Sequence, residues 1–278
     1  MIIWIASYPK SGNTYLRSFI ASYFFSKDGK FNFDDLLNIQ QFPNIKFSKF
    51  KPETKEEASK SWIFNQNNFF DRSRLTFLKT HNSLLKYSGN KFTSKNETIG
   101  GIYIVRDPRN IVTSLTHHYS LSYKDAIAYM IDKNSGLMDI SHNNDHSNFT
   151  FLSSWSNHYT SWLNHKEFEV LFIKYEDLED NKTEIFSKII NFINKLIKNN
   201  HDINERKLLN SIKSTNFNNL KNKELNEGFE ESVYSKITGK KINFFNLGFN
   251  NRWQKILPND IKDEVNLNFA KDIKYLKY

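Results

Sequence analysis

Cysteine is absent from this chain of 278 residues. Its absence excludes disulfide bonds, thiol catalysis and zinc sites built on thiolate ligands. No uninterrupted apolar run approaches the ~20 residues that a membrane-spanning helix needs. The N-terminus also lacks a basic segment followed by an apolar stretch and a cleavage site, which is the pattern of a secretory signal. We therefore expect a cytoplasmic protein without stable membrane insertion.

The composition is that of a folded protein, with 38% hydrophobic and 25% charged residues. The length allows one domain or at most two. Neither an internal repeat nor a clear linker is visible, so we predict a single domain over residues 1–278. With 25 Phe and 13 Tyr, the aromatic residues must supply much of the core.

The formal net charge of +9 indicates an anionic partner. Nucleotides, nucleic acids, acidic glycans and membrane surfaces all satisfy this condition. Lysine is spread along the chain and no recognised nucleic-acid motif is present. We therefore expect no nucleic-acid partner, although a basic nucleic-acid-binding protein stays a competing interpretation.

Short apolar or β-branched runs predict four buried strands, and three helical patterns follow such runs. Continuous apolar strands alternating with helices favour an α/β fold with a parallel sheet covered on both faces. Residues 26–70 show no such pattern and look irregular. Ligands of parallel sheets bind beyond the carboxyl ends of the strands, so the candidate site lies there. The predicted strands are Ile2–Ser7, Leu75–Lys79, Ile99–Val105 and Val170–Tyr175, and the predicted helices are Thr14–Phe24, Arg109–Tyr119 and Thr183–Ile197.

Residues 7–15, SYPKSGNTY, join the first strand to the first helix. The N–H groups and the positive dipole end of a helix N-terminus favour an anion. Lys10 adds a point charge, and Gly12 lets the backbone approach a ligand closely. The phosphate-loop spelling G-x-x-x-x-G-K-[ST] is absent, because Lys10 precedes the only glycine. An anion site is therefore predicted, and an ordinary strand–turn–helix is the alternative. The loop also offers the short polar side chains of Ser11, Asn13 and Thr14.

This loop resembles the 5′-phosphosulfate loop of the sulfotransferases that use 3′-phosphoadenosine 5′-phosphosulfate (PAPS), which reads approximately T-Y-P-K-S-G-T-T-W. Asn13 stands in place of a Thr and stays polar, while Tyr15 stands in place of a Trp and keeps a flat ring for adenine. The resemblance implies a three-layer α/β/α fold of the phosphate-loop type with a central parallel sheet. It also implies cofactor binding by Lys10, Ser11, Gly12, Asn13, Thr14 and Tyr15.

A second signature occupies residues 103–114, YIVRDPRNIVTS, where the family has R-x-P-x-D/N-x-x-x-S after a strand. The resemblance implies that Arg106 and Ser114 bind the 3′-phosphate of the cofactor. An arginine at a strand end can grip a phosphate with its planar fork. We expect Asp107 to cap the helix and Pro108 to occupy its first position. The alternative for this segment is an Arg–Asp ion pair with a purely structural role.

The third signature is FLKTH at residues 77–81, after the second predicted strand. A lone histidine is more often structural, but the family places its catalytic histidine in a K-T-H triplet. The resemblance implies that His81 is the general base and that Lys79 stabilises the sulfuryl oxygens. It further implies that Lys10 meets the leaving oxygen and that Ser114 restrains Lys10 until the acceptor arrives.

Two later segments extend the resemblance to the adenine end of the cofactor. Tyr175, in VLFIKYEDL, matches a tyrosine of the family that contacts the cofactor. Thr215 and Phe217, in STNFNNLK, fall on positions that contact adenine. Tyr15 and Phe217 are then expected to sandwich the base, as aromatic rings can.

The last match is partial. The family often has R-K-G-x-x-G-x-W, whose basic residues bind the 3′-phosphate, and this chain has NLGFNNRW at residues 246–253. Gly248 is retained as a cofactor-binding position, but the basic pair before it is missing. Lys240, Lys241 or Arg252 could replace that pair.

No metal is predicted. The spacing of His142 and His146 could hold a metal on a helix, but the surrounding Asn and Ser residues favour a loop. The cations that the implied chemistry needs are side chains.

The function implied by the resemblance is sulfuryl transfer from PAPS to a hydroxyl or amine, which releases 3′-phosphoadenosine 5′-phosphate (PAP). We expect a small-molecule or glycan acceptor, and the sequence leaves the oligomeric state open, a homodimer included. A nucleotide kinase-like phosphate-loop transferase is one alternative. A sulfotransferase-like protein that binds PAP without turnover is another.

Overall fold

The computed structural model describes residues 1–138, 145–234 and 238–278. Its centre is a sheet of five strands in the spatial order β2 (Ile39–Gln41), β3 (Thr76–Thr80), β1 (Ile2–Ser7), β4 (Thr98–Val105) and β7 (Glu169–Lys174), and every neighbouring pair is parallel. The predicted α/β fold with a central parallel sheet is therefore confirmed. Two-residue strands form two small hairpins, β5 (Gly136–Leu137) with β6 (Thr150–Phe151) and β8 (Val233–Tyr234) with β9 (Lys241–Ile242).

Helices cover both faces of the sheet. The first half of the chain contributes α1 (Asn13–Phe25), α2 (Lys55–Phe69), α3 (Pro108–Tyr119), α4 (Tyr123–Ile131) and α5 (Trp155–Leu163). The second half contributes α6 (Asp177–Asp180), α7 (Lys182–Leu196), α8 (Glu205–Ser214), α9 (Phe217–Glu227), α10 (Trp253–Ile256), α11 (Asn259–Asn268) and α12 (Ala270–Leu276). Short 3-10 turns occupy Phe33–Asn38, Ile45–Phe47 and Gly248–Asn250.

Strand β1 shows how the two faces are filled. Its successive side chains point to opposite faces, so Trp4 and Ala6 enter one core while Ile3 and Ile5 enter the other. The first core packs against α2, α3, α4, α5 and α11, and the second against α1, α7, α8 and α9. A strand buried on both faces reads as an unbroken apolar run, which is why the sequence pattern located it.

The other three predicted strands and all three predicted helices are present, with no end displaced by more than one residue. The prediction for residues 26–70 was wrong, because the segment contains β2 and α2. Strand β2 has only three residues and is recognisable through its pairing with β3. Helix α2 had a local signal, since the side chain of Thr54 accepts a hydrogen bond from the N–H of Glu57 at 3.2 Å.

None of the helices in the described ranges is both long and apolar enough to cross a bilayer. The predicted spacing of His142 and His146 cannot be compared with the structure, because His142 lies outside the described residues. Elsewhere in the described chain, no group of three or more His, Cys, Asp or Glu side chains could hold a metal ion.

Candidate active site

A cavity of about 320 Å³ lies at the carboxyl ends of the central strands. The turns after β1, β3, β4 and β7 supply part of its wall, as expected for a parallel sheet. The structure brings to this cavity all the predicted site residues except Ser11 and Thr215. Those lining it are Lys10, Gly12, Asn13, Thr14, Tyr15, Lys79, His81, Arg106, Ser114, Tyr175, Phe217 and Gly248.

The turn between β1 and α1 is held in an unusual backbone conformation. Lys10 and Gly12 both have positive φ values, of 64° and 96°. A side chain at Gly12 would also collide with the ring of Tyr175. Gly12 stands directly before α1, and no side chain caps the helix at this end. The turn therefore leaves the first N–H groups of α1 without a side-chain cap, and the anion site at this position stays a prediction.

Asn13 and Ser11 have different environments within this turn. The amide of Asn13 donates to the carbonyl oxygen of Ile5 at 3.1 Å and to Oγ of Ser7 at 3.3 Å, which ties the helix start to the strand. Ser11 is buried off the cavity wall, and its hydroxyl has no hydrogen-bond partner among the described residues. A cofactor-binding role of the Ser11 side chain stays a prediction.

His81 is oriented by the first strand. Its Nδ1 lies 2.8 Å from the carbonyl oxygen of Ser7. Because a carbonyl oxygen only accepts, Nδ1 carries the hydrogen and Nε2 carries the lone pair. Burial, and after it the charge of Lys79, lowers the pKa of His81 to about 3. The ring is therefore neutral at physiological pH and holds the tautomer that a general base at Nε2 requires.

A second histidine supports the backbone of His81. Nε2 of His158 donates to the carbonyl oxygen of His81 at 2.8 Å, and the hydroxyl of Tyr103 lies 2.7 Å from Nδ1 of His158. His158 is fully buried, and burial lowers its pKa to about 4. The K-T-H triplet is thus fixed from two sides.

Lys10 is buried beside other cations, which disfavours its charged form. Burial, and then the repulsion of Lys79 and Arg106, lowers its pKa to about 7, although Glu231 opposes the shift. Its Nζ lies 3.9 Å from the centre of the Phe244 ring, so a cation–π contact compensates part of the lost hydration. Ser114 lines the same cavity, but its predicted restraint on Lys10 stays a prediction.

Arg106 joins the phosphate-type loop to the C-terminal part of the site. Its Nη1 donates to the carbonyl oxygen of Lys10 at 3.1 Å, and its Nη2 to that of Gly248 at 3.3 Å. Its guanidinium stacks on the ring of Tyr175 with 4.3 Å between the guanidinium carbon and the ring centre. The buried Nε has no partner in the described chain, so the fork retains a donor for an anion.

The helix after β4 begins as predicted. Asp107 caps α3 by accepting the N–H of Arg109 at 2.9 Å, and Pro108 holds the first position. The carboxylate of Asp107 forms a two-point ion pair with the guanidinium of Arg109, at 2.9 and 2.8 Å. The structural Arg–Asp pair exists but uses Arg109, which leaves Arg106 for the cavity.

The aromatic residues expected around adenine are partly placed at the cavity. Tyr15 packs edge-on against Phe249, with ring centres 6.1 Å apart, and Phe217 lies against Gly248. A Cβ at Gly248 would stand 2.5 Å from the Phe217 ring, so only glycine fits there at φ 56°. Both rings border the cavity, and the adenine sandwich itself stays a prediction.

Thr215 is not brought to the cavity. Its hydroxyl donates to the carbonyl oxygen of Ser211 at 2.7 Å, and the residue is fully buried at the end of α8. Nor do the predicted replacements for the missing basic pair line the cavity. Lys240 and Lys241 are exposed, and Arg252 pairs with Glu179 at 2.8 Å. The binding roles of Thr215 and of these basic residues stay predictions, and none of them lines the cavity in this structure.

Glu231 was not found by sequence reasoning. Its Oε1 lies 2.8 Å from Nη1 of Arg17 and 3.0 Å from Nζ of Lys79. Its Oε2 accepts the hydroxyl of Thr14 at 2.9 Å. Burial alone would raise the pKa of Glu231, but Arg17 and Lys79 together hold it well below its usual range. No local signal marks this residue, which stands in an ordinary polar segment, NEGFEES.

The sequence of the chain matches a known family. A family model described as "Sulfotransferase domain" matches residues 2–276. The chain belongs to this family. The predicted resemblance is therefore confirmed over nearly the whole chain.

Solved structures agree on the fold. Mouse sulfotransferase SULT7A1 complexed with PAP matches with a TM-score of 0.59 and 20% identity, covering 98% of this chain and 84% of that one. Retinol dehydratase in complex with androsterone and the inactive cofactor PAP matches with a TM-score of 0.61 and 17% identity, covering 98% and 80%. These likenesses confirm the predicted sulfotransferase fold of the phosphate-loop type.

A curated relative is luciferin sulfotransferase of Photinus pyralis, which is 24% identical over 229 residues. The match covers 79% of this chain and 56% of the relative, so it spans little more than half of the relative's length.

Proposed function

We propose that this sulfotransferase domain transfers the sulfuryl group of PAPS to a hydroxyl or amine of a small-molecule acceptor and releases PAP. The observation that carries the proposal is the convergence of His81, Lys79, Lys10 and Arg106 on one cavity. A base with a free lone pair and three cations is the set that such a transfer requires. Both solved relatives are complexes with PAP, which supports the choice of donor.

Free donors at the cavity support the assignment of an adenosine bisphosphate as its ligand. Buried polar atoms without partners in the described chain include Nε of Arg106 and the hydroxyl of Tyr15. Gly12 and Gly248 keep the backbone close to the cavity where side chains would intrude on Tyr175 and Phe217. We assign the 5′ end to the α1 N-terminus and the 3′-phosphate to Arg106 and Ser114.

The acceptor step is assigned to His81. Nε2 would take the proton from the acceptor hydroxyl or amine while its oxygen or nitrogen forms a bond to sulfur. The bond between sulfur and the 5′-phosphate oxygen breaks in the same step. Lys10 would stabilise the charge left on that oxygen, and Lys79 the charge on the sulfuryl oxygens. The acceptor's proton goes to His81 and the leaving group is PAP, so the step needs no further reactant.

The acceptor side supports a small hydroxylated molecule. His118, Tyr119, Leu137 and Phe244 border the cavity, so its wall is largely aromatic and apolar beside the cations. The curated relative is named for luciferin, and retinol dehydratase has been solved in complex with androsterone and with retinol. A phenol or alcohol of that size is the first class to test.

The deciding experiment is incubation with PAPS and a panel of phenols, alcohols, amines and short glycans, with PAP release as the readout. We expect release that depends on one acceptor class. Thermal stabilisation by PAP, with ATP as the control ligand, tests the donor separately. Preference for ATP would support the kinase-like alternative, and PAP stabilisation without turnover on any acceptor would support a binding protein.

A further inference from the structure

Glu231 occupies the anion site of the free protein. Its two oxygens take the Thr14 hydroxyl at the start of α1 and the Lys79 ammonium at the end of β3. Both groups are assigned above to an anionic donor. Glu231 is only about one quarter exposed, and it lies on the cavity wall. A side chain of this chain therefore holds the positions that a phosphosulfate needs.

The carboxylate of Glu224 accepts hydrogen bonds from residues on both sides of the cavity segment that carries Glu231 and Phe244. Oε1 of Glu224 accepts the hydroxyl of Ser232 at 2.6 Å and the N–H of Phe244 at 2.6 Å. Oε2 of Glu224 accepts the N–H of Phe245 at 2.9 Å. Because Glu224 is buried on α9, it places Glu231 and Phe244 over the cavity together.

Aromatic contacts hold the same segment from outside. Phe229 stacks on Phe33 with ring centres 4.8 Å apart, and it also meets Phe244 at 5.3 Å. Phe244 in turn covers Nζ of Lys10. Glu231 and Phe244 thus shield two cations of the site in the same arrangement.

The Glu231 carboxylate and a phosphosulfate would repel each other if both were bound at Lys79 and Thr14. Like charges a few ångströms apart repel strongly where water is excluded. A phosphosulfate at Thr14 and Lys79 therefore has to displace the Glu231 carboxylate. The structure also contains a place for the displaced group, since Nε of Arg17 is buried and has no partner in the described chain. Rotation toward Arg17 would turn its one-point contact into a two-point pair.

We propose that Glu231 is an internal competitor for the donor, and that it selects ligands with enough negative charge to displace it. In the free protein the Glu231 carboxylate pairs with the ammonium of Lys79 and accepts the hydroxyl of Thr14. In the donor complex it pairs with Arg17 alone. This inference rests on the proposed function for the identity of the donor, but not for the existence of the competition.

The test compares Glu231→Gln with Glu230→Gln by calorimetric titration of PAP and of inorganic pyrophosphate. Glu230 is the exposed neighbour and makes a matched control. We expect E231Q to bind PAP at least tenfold more tightly than the wild type, and E230Q to stay within twofold. Equal or weaker PAP binding by E231Q overturns the competition.

The variant could lose stability, because Arg17 and Lys79 lose their counter-ion. Thermal unfolding of each variant detects this, and Glu231→Asp provides a second measurement. Its shorter carboxylate keeps the charge beside Arg17 but reaches Thr14 and Lys79 less well. We expect a gain in PAP affinity of about threefold. Wild-type affinity in every folded Glu231 variant refutes the proposal.

A double-variant cycle with Lys79→Met locates the effect, and it is titrated with pyrophosphate because PAP lacks the sulfuryl group assigned to Lys79. If Glu231 competes at Lys79, the gain in pyrophosphate affinity from E231Q is at least threefold smaller in the K79M background. An undiminished gain would show that the competition is not at Lys79 and would overturn this assignment.

The pyrophosphate titration separates this inference from the proposed function. Tighter pyrophosphate binding by E231Q, with no PAP binding by any variant, retains the competition and rejects the donor. Equal PAP binding by wild type and E231Q retains the donor and rejects the competition. Failure of both ligands to bind any variant rejects both.

Discussion

The strand-end half of the site and its C-terminal half are built differently. The first half, residues 7–15, 79–81 and 106–114, follows three adjacent buried strands and matches the sulfotransferase signatures. The second half, residues 217–253, lacks the family's basic pair and adds Glu231 and Phe244 to the cavity. The candidate catalytic side chains thus lie at the ends of the strands, while the opposite part of the cavity wall comes from a segment outside the sheet. The following predictions test that division.

The largest effect is expected from His81→Ala, with His118→Ala as the matched control. Both rings border the cavity and both have a pKa lowered to about 3, His81 by burial and Lys79, and His118 by burial and Lys10. Loss of the general base should reduce kcat by about 10²- to 10⁴-fold. The H118A variant should lose far less of its kcat, because His118 belongs to α3 and not to the K-T-H triplet. Near-normal turnover by H81A in a PAPS assay contradicts the role of His81.

Removing Arg106 should mainly weaken PAP binding, because its guanidinium joins the two halves through the carbonyl oxygens of Lys10 and Gly248. We expect Arg106→Ala to raise the Kd for PAP by about 10- to 100-fold, as one charged hydrogen-bonding group is typically worth 1.5–3 kcal/mol. Arg252→Ala is the control, since Arg252 pairs with Glu179 outside the cavity. An equal loss of PAP affinity in both variants would show that Arg106 contributes no more than an exposed positive charge outside the cavity.

Gly12→Ala tests the backbone of the first half. Its φ of 96° is costly for alanine by about 1–2 kcal/mol, and the added Cβ would also meet the ring of Tyr175. Gly89→Ala shares the positive φ, at 82°, but its Cβ would meet nothing within 4 Å. Urea unfolding should therefore show a larger loss of unfolding free energy for G12A than for G89A. Equal losses would mean that the contact with Tyr175 is of no consequence.

The smallest effect is a pH dependence of PAP binding. Burial, then repulsion by Lys79 and Arg106, lowers the pKa of Lys10 to about 7, so the free protein loses this charge as the pH rises through 7. PAP affinity should fall several-fold between pH 6 and pH 9, since the anion favours the charged form. Lys10→Arg stays charged throughout and should flatten the profile. Parallel profiles for wild type and K10R would show that Lys10 does not titrate in this range.

The sequence located the first half of the site well because its signals are local. A buried strand, a loop and a helix start are each encoded by adjacent residues, and so are the separations of Arg106 from Ser114 and of Lys79 from His81. The short strand β2 was missed because it depends on pairing with β3. Thr215 does not line the cavity, because its hydroxyl donates to the carbonyl oxygen of Ser211 in the preceding helix.

The sequence by itself determined the α/β fold, the anion loop and the residues that follow the strands. Only the tertiary structure decided which acidic side chain meets the cations, which tautomer His81 adopts and where the basic residues near Gly248 point. Thr14 and Glu231 are 217 positions apart in the chain. No local pattern selects one carboxylate among 30 acidic residues, because the selection depends on long-range packing that anchors the segment through Glu224.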